Sequence, residues 1–376
     1  MNDKQSILVV DDELANLQKL KRTFMRDFAV REAKSGEDAL ALLRNDRFDV
    51  IITDQRMPGI SGVDLLKESL STSPQAIRII LTGYADVDNL MDAINEGQVH
   101  RYVTKPWEPF TLRQTVLQDL DHWRLKRENQ LLAEQLRIAK EVQRQLFPQR
   151  LPSLETLDYY GVCHSAREVG GDYYDFLKLN SEDLWMAVGD ISGKGISAAL
   201  LMANLQALLR SRAPLHAASL SDLIHDVNQA LFETTGDSKF ASLFCGVFNA
   251  ATRTLRYVNA GHCLPLVVRR DGGSGRSLEA LEATGTLVGL FAESRYQQQS
   301  VRLEAGDVLL IHTDGVTEAF NSALEEFGDE RLRRLVLEHA ELPPRELAQR
   351  IVDEVNSHTG DPDHRDDLTL VLARVL

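Results

Sequence analysis

The sequence predicts a multidomain chain: a doubly wound α/β domain, a helical coiled-coil linker, and an α+β domain built as a β-sandwich flanked by helices. Three observations carry this expectation. Short apolar runs alternate with helix-like stretches through the first 120 residues. From Leu112 to Phe147 there is neither glycine nor proline, and strong helix formers dominate. Beyond residue 149, long strand-like runs and turns surround two pairs of helical stretches. The expected boundaries are 1–120, 121–148 and 149–376.

In the first domain the runs are ILVV (7–10), FAVREA (28–33), FDVIIT (48–53), AIRIILT (76–82) and HRYVT (100–104). Helical intervals between them suit βα units and a parallel sheet. Such sheets gather reactive groups at the carboxyl ends of their strands. There the sequence places Asp11 and Asp12 after the first run, Asp54 after the third, Thr82 closing the fourth and Lys105 after the fifth. Three carboxylates brought together repel, so they imply an oxygen-preferring divalent cation, most simply Mg2+. Lys105 adds compensating charge.

The motifs VVDDE, TDQRMPGISG, ILTGYAD and YVTKPW resemble those of the CheY-like receiver domain of bacterial response regulators, a flavodoxin-like fold, over about residues 5–120. The resemblance implies Asp54 as phosphoacceptor, with Asp12, Asp11, Asp54 and the Arg56 carbonyl around Mg2+. It further implies that Thr82 bonds the phosphoryl group, that Lys105 pairs with it, that Tyr102 is the switch aromatic, and that Lys105-Pro106 is cis. A histidine kinase or phosphotransfer protein would be the donor.

In the linker one heptad register puts Leu125, Leu132, Ala139 and Leu146 at d, with Asn129, Leu136 and Gln143 at a. Pro148 ends it. A parallel homodimer is expected, since a buried amide at a favours an in-register pair. A single amphipathic helix packed on a flanking domain is the alternative.

The stretch GDISGKGISAALL (189–201) could be a phosphate-binding nucleotide loop. That motif needs G-x-x-x-x-G-K-[ST], but Val188 replaces the first glycine and Gly195 the hydroxyl. Four aspartates instead recur in glycine-marked turns or at strand ends: Asp172, Asp190, Asp314 and Asp366. Oxygen-only ligands point to Mg2+ or Mn2+, and a pair of such ions clamps a phosphate for in-line displacement.

EVGGDYYD, GDISGKGISAAL, NAGHCLPLV, TDGVTEA and DDLTLV occur in the order found in the type 2C superfamily of metal-dependent protein phosphatases, in its SpoIIE-like branch, which residues 150–376 resemble. The resemblance implies two Mn2+ or Mg2+ ions bridged by Asp190, with the Ile191 carbonyl, Asp172, Asp314 and Asp366 as further ligands; Asp367 is the less favoured member of its pair. It implies a phosphoserine or phosphothreonine substrate on a STAS-type anti-sigma-factor antagonist, and regulation through the helix IAKEVQRQLFP (138–148). The superfamily's phosphate-binding arginine and histidine general acid have no clear counterpart. Arg167 is expected in a surface salt bridge, His262 in the hairpin turn, and Lys194 in a solvated loop. A competing reading is a phosphatase-like adaptor that only binds a sigma-factor regulator.

Composition agrees with these expectations. The chain has 376 residues, 43% hydrophobic and 26% charged, an ordinary globular balance. A net charge of −14 without a basic cluster argues against nucleic-acid binding. No signal peptide or long apolar span is visible, and Cys163, Cys245 and Cys263 are widely spaced, so a cytoplasmic protein without cysteine zinc sites is expected.

Overall fold

The computed structural model describes residues 4–83, 99–235, 239–270, 275–359 and 366–376. The chain divides into two compact units between Ala133 and Glu134.

In the N-terminal unit, strands β1 (Ser6–Val10), β2 (Ala29–Ala33), β3 (Val50–Asp54), β4 (Ile77–Thr82) and β5 (Arg101–Thr104) form a parallel sheet in the order β2-β1-β3-β4-β5. The near-continuous apolar runs of β1, β3 and β4 follow from burial on both faces. Ile7 and Val9 point into one core with Leu17, Leu20 and Phe24 of α1 (Leu14–Phe24). Leu8 and Val10 point into the other, with residues of α2 (Gly36–Asn45) and α3 (Gly62–Thr72). Ser35 and Ser61 cap α2 and α3 by accepting the N–H groups of Asp38 and Asp64, each worth about 1 kcal/mol.

Helix α4 (Pro109–Leu146) is continuous. Its first turns bury Leu112, Val116 and Leu120 in the N-terminal core. Leu125 and Leu132 are exposed, in keeping with an unpartnered seam, and a second exposed row holds Leu131, Ile138 and Val142. The last heptad is different: Gln143 is buried, and Leu146 and Phe147 pack on the C-terminal core. The a/d pattern therefore serves the adjoining domain at that end, as in the single-helix alternative. Among the described residues no helix is long and apolar enough to cross a membrane.

The C-terminal unit is a sandwich of two five-stranded antiparallel sheets. One runs β13 (Gln299–Arg302), β10 (Thr254–Ala260), β9 (Ala241–Asn249), β8 (Asp183–Ile191), β7 (Tyr173–Lys178). The other runs β12 (Arg276–Ala280), β11 (Leu266–Arg270), β14 (Val308–His312), β15 (Leu368–Val375), β6 (Leu157–His164). Strand alternation explains three apolar layers. On β8, Leu184, Met186 and Val188 face the other sheet, whereas Trp185 and Ala187 face α5 (Ile196–Arg212) and α6 (Leu220–Thr235). A four-residue helix, α7 (Asp314–Thr317), follows β14. On β15, Leu370 and Leu372 face α8 (Asp329–His339) and α9 (Pro344–Thr359). The four long helices are the two pairs that the sequence predicts.

Helix α5 is tied to β7 by a buried charge. Asp175 has no exposed surface and accepts from Arg210 at 2.5 and 2.8 Å, from the Tyr173 hydroxyl at 2.9 Å and from the Phe176 N–H at 2.8 Å. Arg210→Met strands that carboxylate and is expected to cost about 3 kcal/mol in chemical denaturation. Asp175→Leu with Arg210→Met should recover most of the loss; equal losses in the single and double variants would refute the pairing argument.

Candidate active sites

At the carboxyl edge of the parallel sheet, Asp11 follows β1, Asp54 ends β3, Thr82 ends β4 and Lys105 follows β5. Asp11, Asp12 and Asp54 each present an oxygen within 4.8 Å of the others. Lys105 Nζ lies 2.7 Å from Asp54 Oδ1 and 3.3 Å from Asp11 Oδ2. Burial, with repulsion from Asp11, raises the Asp54 pKa against the opposing pull of Lys105. Three carboxylates facing one ammonium form an under-neutralised oxygen cluster, a donor set that fits a hard divalent cation. Asp12 is exposed toward solvent, whereas Asp11 is buried and accepts from the Glu13 N–H at 2.9 Å and from Asn16 Nδ2 at 3.1 and 3.2 Å. Asn16 is not marked by the strand-end pattern because it lies in the first turn of α1. Arg56 is exposed in the loop after β3, Tyr102 is 40% exposed, and Lys105-Pro106 is cis, as expected.

In the C-terminal unit four segments converge. Asp190 is the penultimate residue of β8, and its chain turns at once through Gly193 (φ 99°) and Gly195 (φ 74°) into α5. Left-handed backbone at both positions explains the glycines of GDISGKG. Ser192 ties that turn to the start of β9: its N–H donates to the Phe240 carbonyl and its Oγ accepts from the Phe240 N–H. Lys239 Nζ donates to the Ser192 carbonyl at 3.2 Å. Asp172 precedes β7, is 2% exposed, and accepts from Thr313 Oγ1 at 2.8 Å. Asp314 opens α7, and Asp366 lies just before β15.

These acids repel one another. Burial, followed by repulsion from Asp314, Asp366 and Asp367, pushes Asp190 up to about 7. Burial and Asp190 push Asp172 up as well, and burial and Asp366 raise Asp314. Lys194 is an exposed loop residue, as expected, and pairs with Asp366 at 2.8 Å. Asp172 is buried, Asp190 and Asp314 are half-buried and Asp366 is exposed; all four offer only oxygen, a donor chemistry that suits magnesium or manganese. Asp367 is engaged elsewhere: Oδ1 accepts from the Ala166 N–H and Oδ2 from the Gly171 N–H, both at 2.8 Å.

His262 is buried in its turn, hydrogen-bonded through its backbone to Asn259 and through Nδ1 to Ser242 Oγ. Burial, with repulsion from His312, depresses its pKa to about 3, which favours the neutral ring. Arg167 is exposed and, contrary to expectation, forms no ion pair among the described residues.

Comparison with known proteins agrees with both halves. The family "Stage II sporulation protein E (SpoIIE)" matches residues 180–376, and "Response regulator receiver domain" matches residues 7–117. Phosphoserine phosphatase RsbU of Bacillus subtilis is 28% identical across 73% of this chain and 84% of its own. Hydrogenase transcriptional regulatory protein HoxA of Cupriavidus necator is 38% identical over 42% of this chain and 33% of its own, and Protein IcfG of Synechocystis is 28% identical over 63% and 41%. The chain thus spans less than half the length of these last two. Among solved structures, the SiaA-PP2C domain of Pseudomonas aeruginosa covers 66% of this chain and 98% of its own, with a TM-score of 0.57 at 21% identity, a likeness of fold. More than half of the chain matches the first family, and the protein belongs to the Stage II sporulation protein E family, with a response regulator receiver domain at its N-terminal end.

Proposed function

We propose that this protein is a metal-dependent phosphoserine/phosphothreonine protein phosphatase controlled by phosphorylation of Asp54. The observation that carries the reading is that the ends of β8 and β14 and the starts of β7 and β15 bring Asp190, Asp314, Asp172 and Asp366 to one side of the sandwich, with Thr313 bonded to Asp172 and Lys194 to Asp366. Asp190 and the Ile191 carbonyl, with Asp172, Asp314 and Asp366, would hold two Mn2+ or Mg2+ ions. When bound, these ions supply an activated water and a clamp for the phosphoryl oxygens. The chain's own part is to fix the ligands. Thr313 orients Asp172, Asp367 holds the backbone beside it, and the Gly193–Gly195 turn sets Asp190.

In the receiver, Asp12, Asp11, Asp54 and the Arg56 carbonyl would hold Mg2+, with Thr82 and Lys105 contacting the phosphoryl group and Tyr102 responding. A histidine kinase or phosphotransfer protein would be the donor. Similarity to RsbU supports phosphoserine chemistry, and a STAS-type anti-sigma-factor antagonist is the substrate class we favour. The exposed row from Leu125 to Leu132 supports a homodimer through α4.

Phosphate release from a phosphoserine peptide with Mn2+ is the direct test. Wild type should turn over, and Asp190→Asn should lose at least about 10²-fold. Equal inactivity of both with Mn2+ and with Mg2+ would remove the enzyme reading.

A further inference from the structure

The amino edge of the parallel sheet, opposite the edge that carries Asp54, holds a cavity of about 760 Å3. Its walls are the start of β1, the segment before β3, the segment joining α3 to β4, and α4 from Leu120 to Arg127. A void of that size is in the range that takes up small molecules. Three arginines line it, Arg47, Arg124 and Arg127, against one acid, Asp49. That balance runs against the net charge of −14 of the whole chain.

The fold does not consume these charges. Asp49 is engaged by Ser6, whose N–H and Oγ donate to its Oδ2 at 2.7 and 3.1 Å. Arg124 pairs with Glu128 at 3.0 Å, an exposed contact within one helix that holds it weakly. Arg47 and Arg127 have no carboxylate partner among the described residues. The carbonyl end of α3 would repel an anion here, but Arg78 covers it. That side chain is 1% exposed and donates to the Ser73 carbonyl at 2.7 Å, the Ala76 carbonyl at 3.0 Å and Ser69 Oγ at 3.0 Å. Buried without a carboxylate, it adds positive charge directly behind the wall that Ser73 and Ala76 form. Ser73 is 4% exposed and its Oγ has no partner, a buried group still to be satisfied.

A second cavity of about 210 Å3 shares Pro74, Trp123 and Arg127 with the first and adds Lys126. The indole of Trp123 is held by the edge of His100, with ring centroids 4.8 Å apart. Guanidinium groups match phosphoryl oxygens in geometry and charge, and an aromatic side chain is a stacking platform for a planar base. We propose that the two cavities form a nucleotide-binding site, with Arg47, Arg124 and Arg127 toward the phosphates and Trp123 against the base. The site requires neither the phosphorylation of Asp54 nor the phosphatase reading.

The test is calorimetric titration of the full-length protein with ATP and with GTP in chelator, which keeps divalent cations from carrying nucleotide to either group of acids. One saturable site is expected for at least one of the two. Arg47→Gln and Arg127→Gln should each weaken it about tenfold, the loss of one charged hydrogen bond, and Trp123→Leu should weaken it by a similar factor through lost stacking. Arg44→Gln, on an exposed position of α2 outside the cavity, should bind as wild type, and adenosine and pyrophosphate should each bind more weakly than the nucleotide. No saturable uptake of ATP or GTP up to millimolar concentration overturns the proposal, as does uptake that both arginine variants leave unchanged. Pyrophosphate that binds as tightly as the nucleotide removes the base from the site and overturns the nucleotide assignment. Should Trp123→Leu lack a cooperative unfolding transition, the arginine variants still decide, since both side chains are exposed and outside the core.

Discussion

Asp190→Asn is expected to make the metal-free C-terminal domain more stable than wild type at pH 8, with the advantage shrinking toward pH 5. Asp190 has its folded pKa pushed up from 3.8 to about 7, by burial first and then by Asp314, Asp366 and Asp367. A raised acid binds its proton more tightly in the folded state, so it stabilises below its unfolded pKa and that stability is lost as pH rises through about 7. Between pH 5 and 8 the loss is on the order of 2–3 kcal/mol. Asparagine does not titrate and escapes it. Calorimetry in chelator across this range would follow the C-terminal transition, with the N-terminal unit as internal reference. Saturating Mn2+ should reverse the order, because a cation that binds only folded protein stabilises the chain that binds it better. A gap independent of pH would mean that Asp190 is already neutral or solvated, and the picture of an under-neutralised centre would fail.

The same crowding explains why the aspartates could be read from sequence while their supports could not. Asp172, Asp190, Asp314 and Asp366 sit at strand ends or glycine turns, where local pattern alone marks a residue that faces outward from an edge. Thr313 and Asp367 resemble any hydroxyl and any acid in a turn. Their roles depend on contacts between β7, β14 and β15, which are remote in sequence and adjacent only across the sandwich. Gln143 was placed at a coiled-coil a position because heptad periodicity records which side of a helix is apolar without recording what covers it. The structure covers it with Gly170.

Strands were legible in proportion to their burial. The runs of β1, β3 and β4 are nearly continuous in apolar residues because both faces meet helices. Strand β12 alternates half-buried with exposed residues, and β6 mixes an acid, two tyrosines, a glycine and a histidine. Neither offers the apolar run that betrays a strand. Lys194 is the solvated loop residue the sequence predicts, but its partner, an acid from the far end of the chain, is not legible there.

Asp54→Asn is expected to accept no phosphoryl group from acetyl phosphate with Mg2+, whereas wild type is labelled to near one equivalent. The attacking oxygen must carry charge, and the transferring oxygens must meet positive charge as they arrive. Lys105, 2.7 Å from Asp54 and 3.3 Å from Asp11, supplies the protein's share. Lys105→Met should therefore slow labelling by about 10²-fold without abolishing it, since Asp54 remains. Beryllofluoride, which mimics the acyl phosphate, should change the phosphatase rate or oligomeric state of wild type and leave Asp54→Asn indifferent. Full labelling of Asp54→Asn would move the acceptor to Asp11 or Asp12. Labelling confined to Asp54 with no response to beryllofluoride would leave a competent receiver uncoupled from the phosphatase.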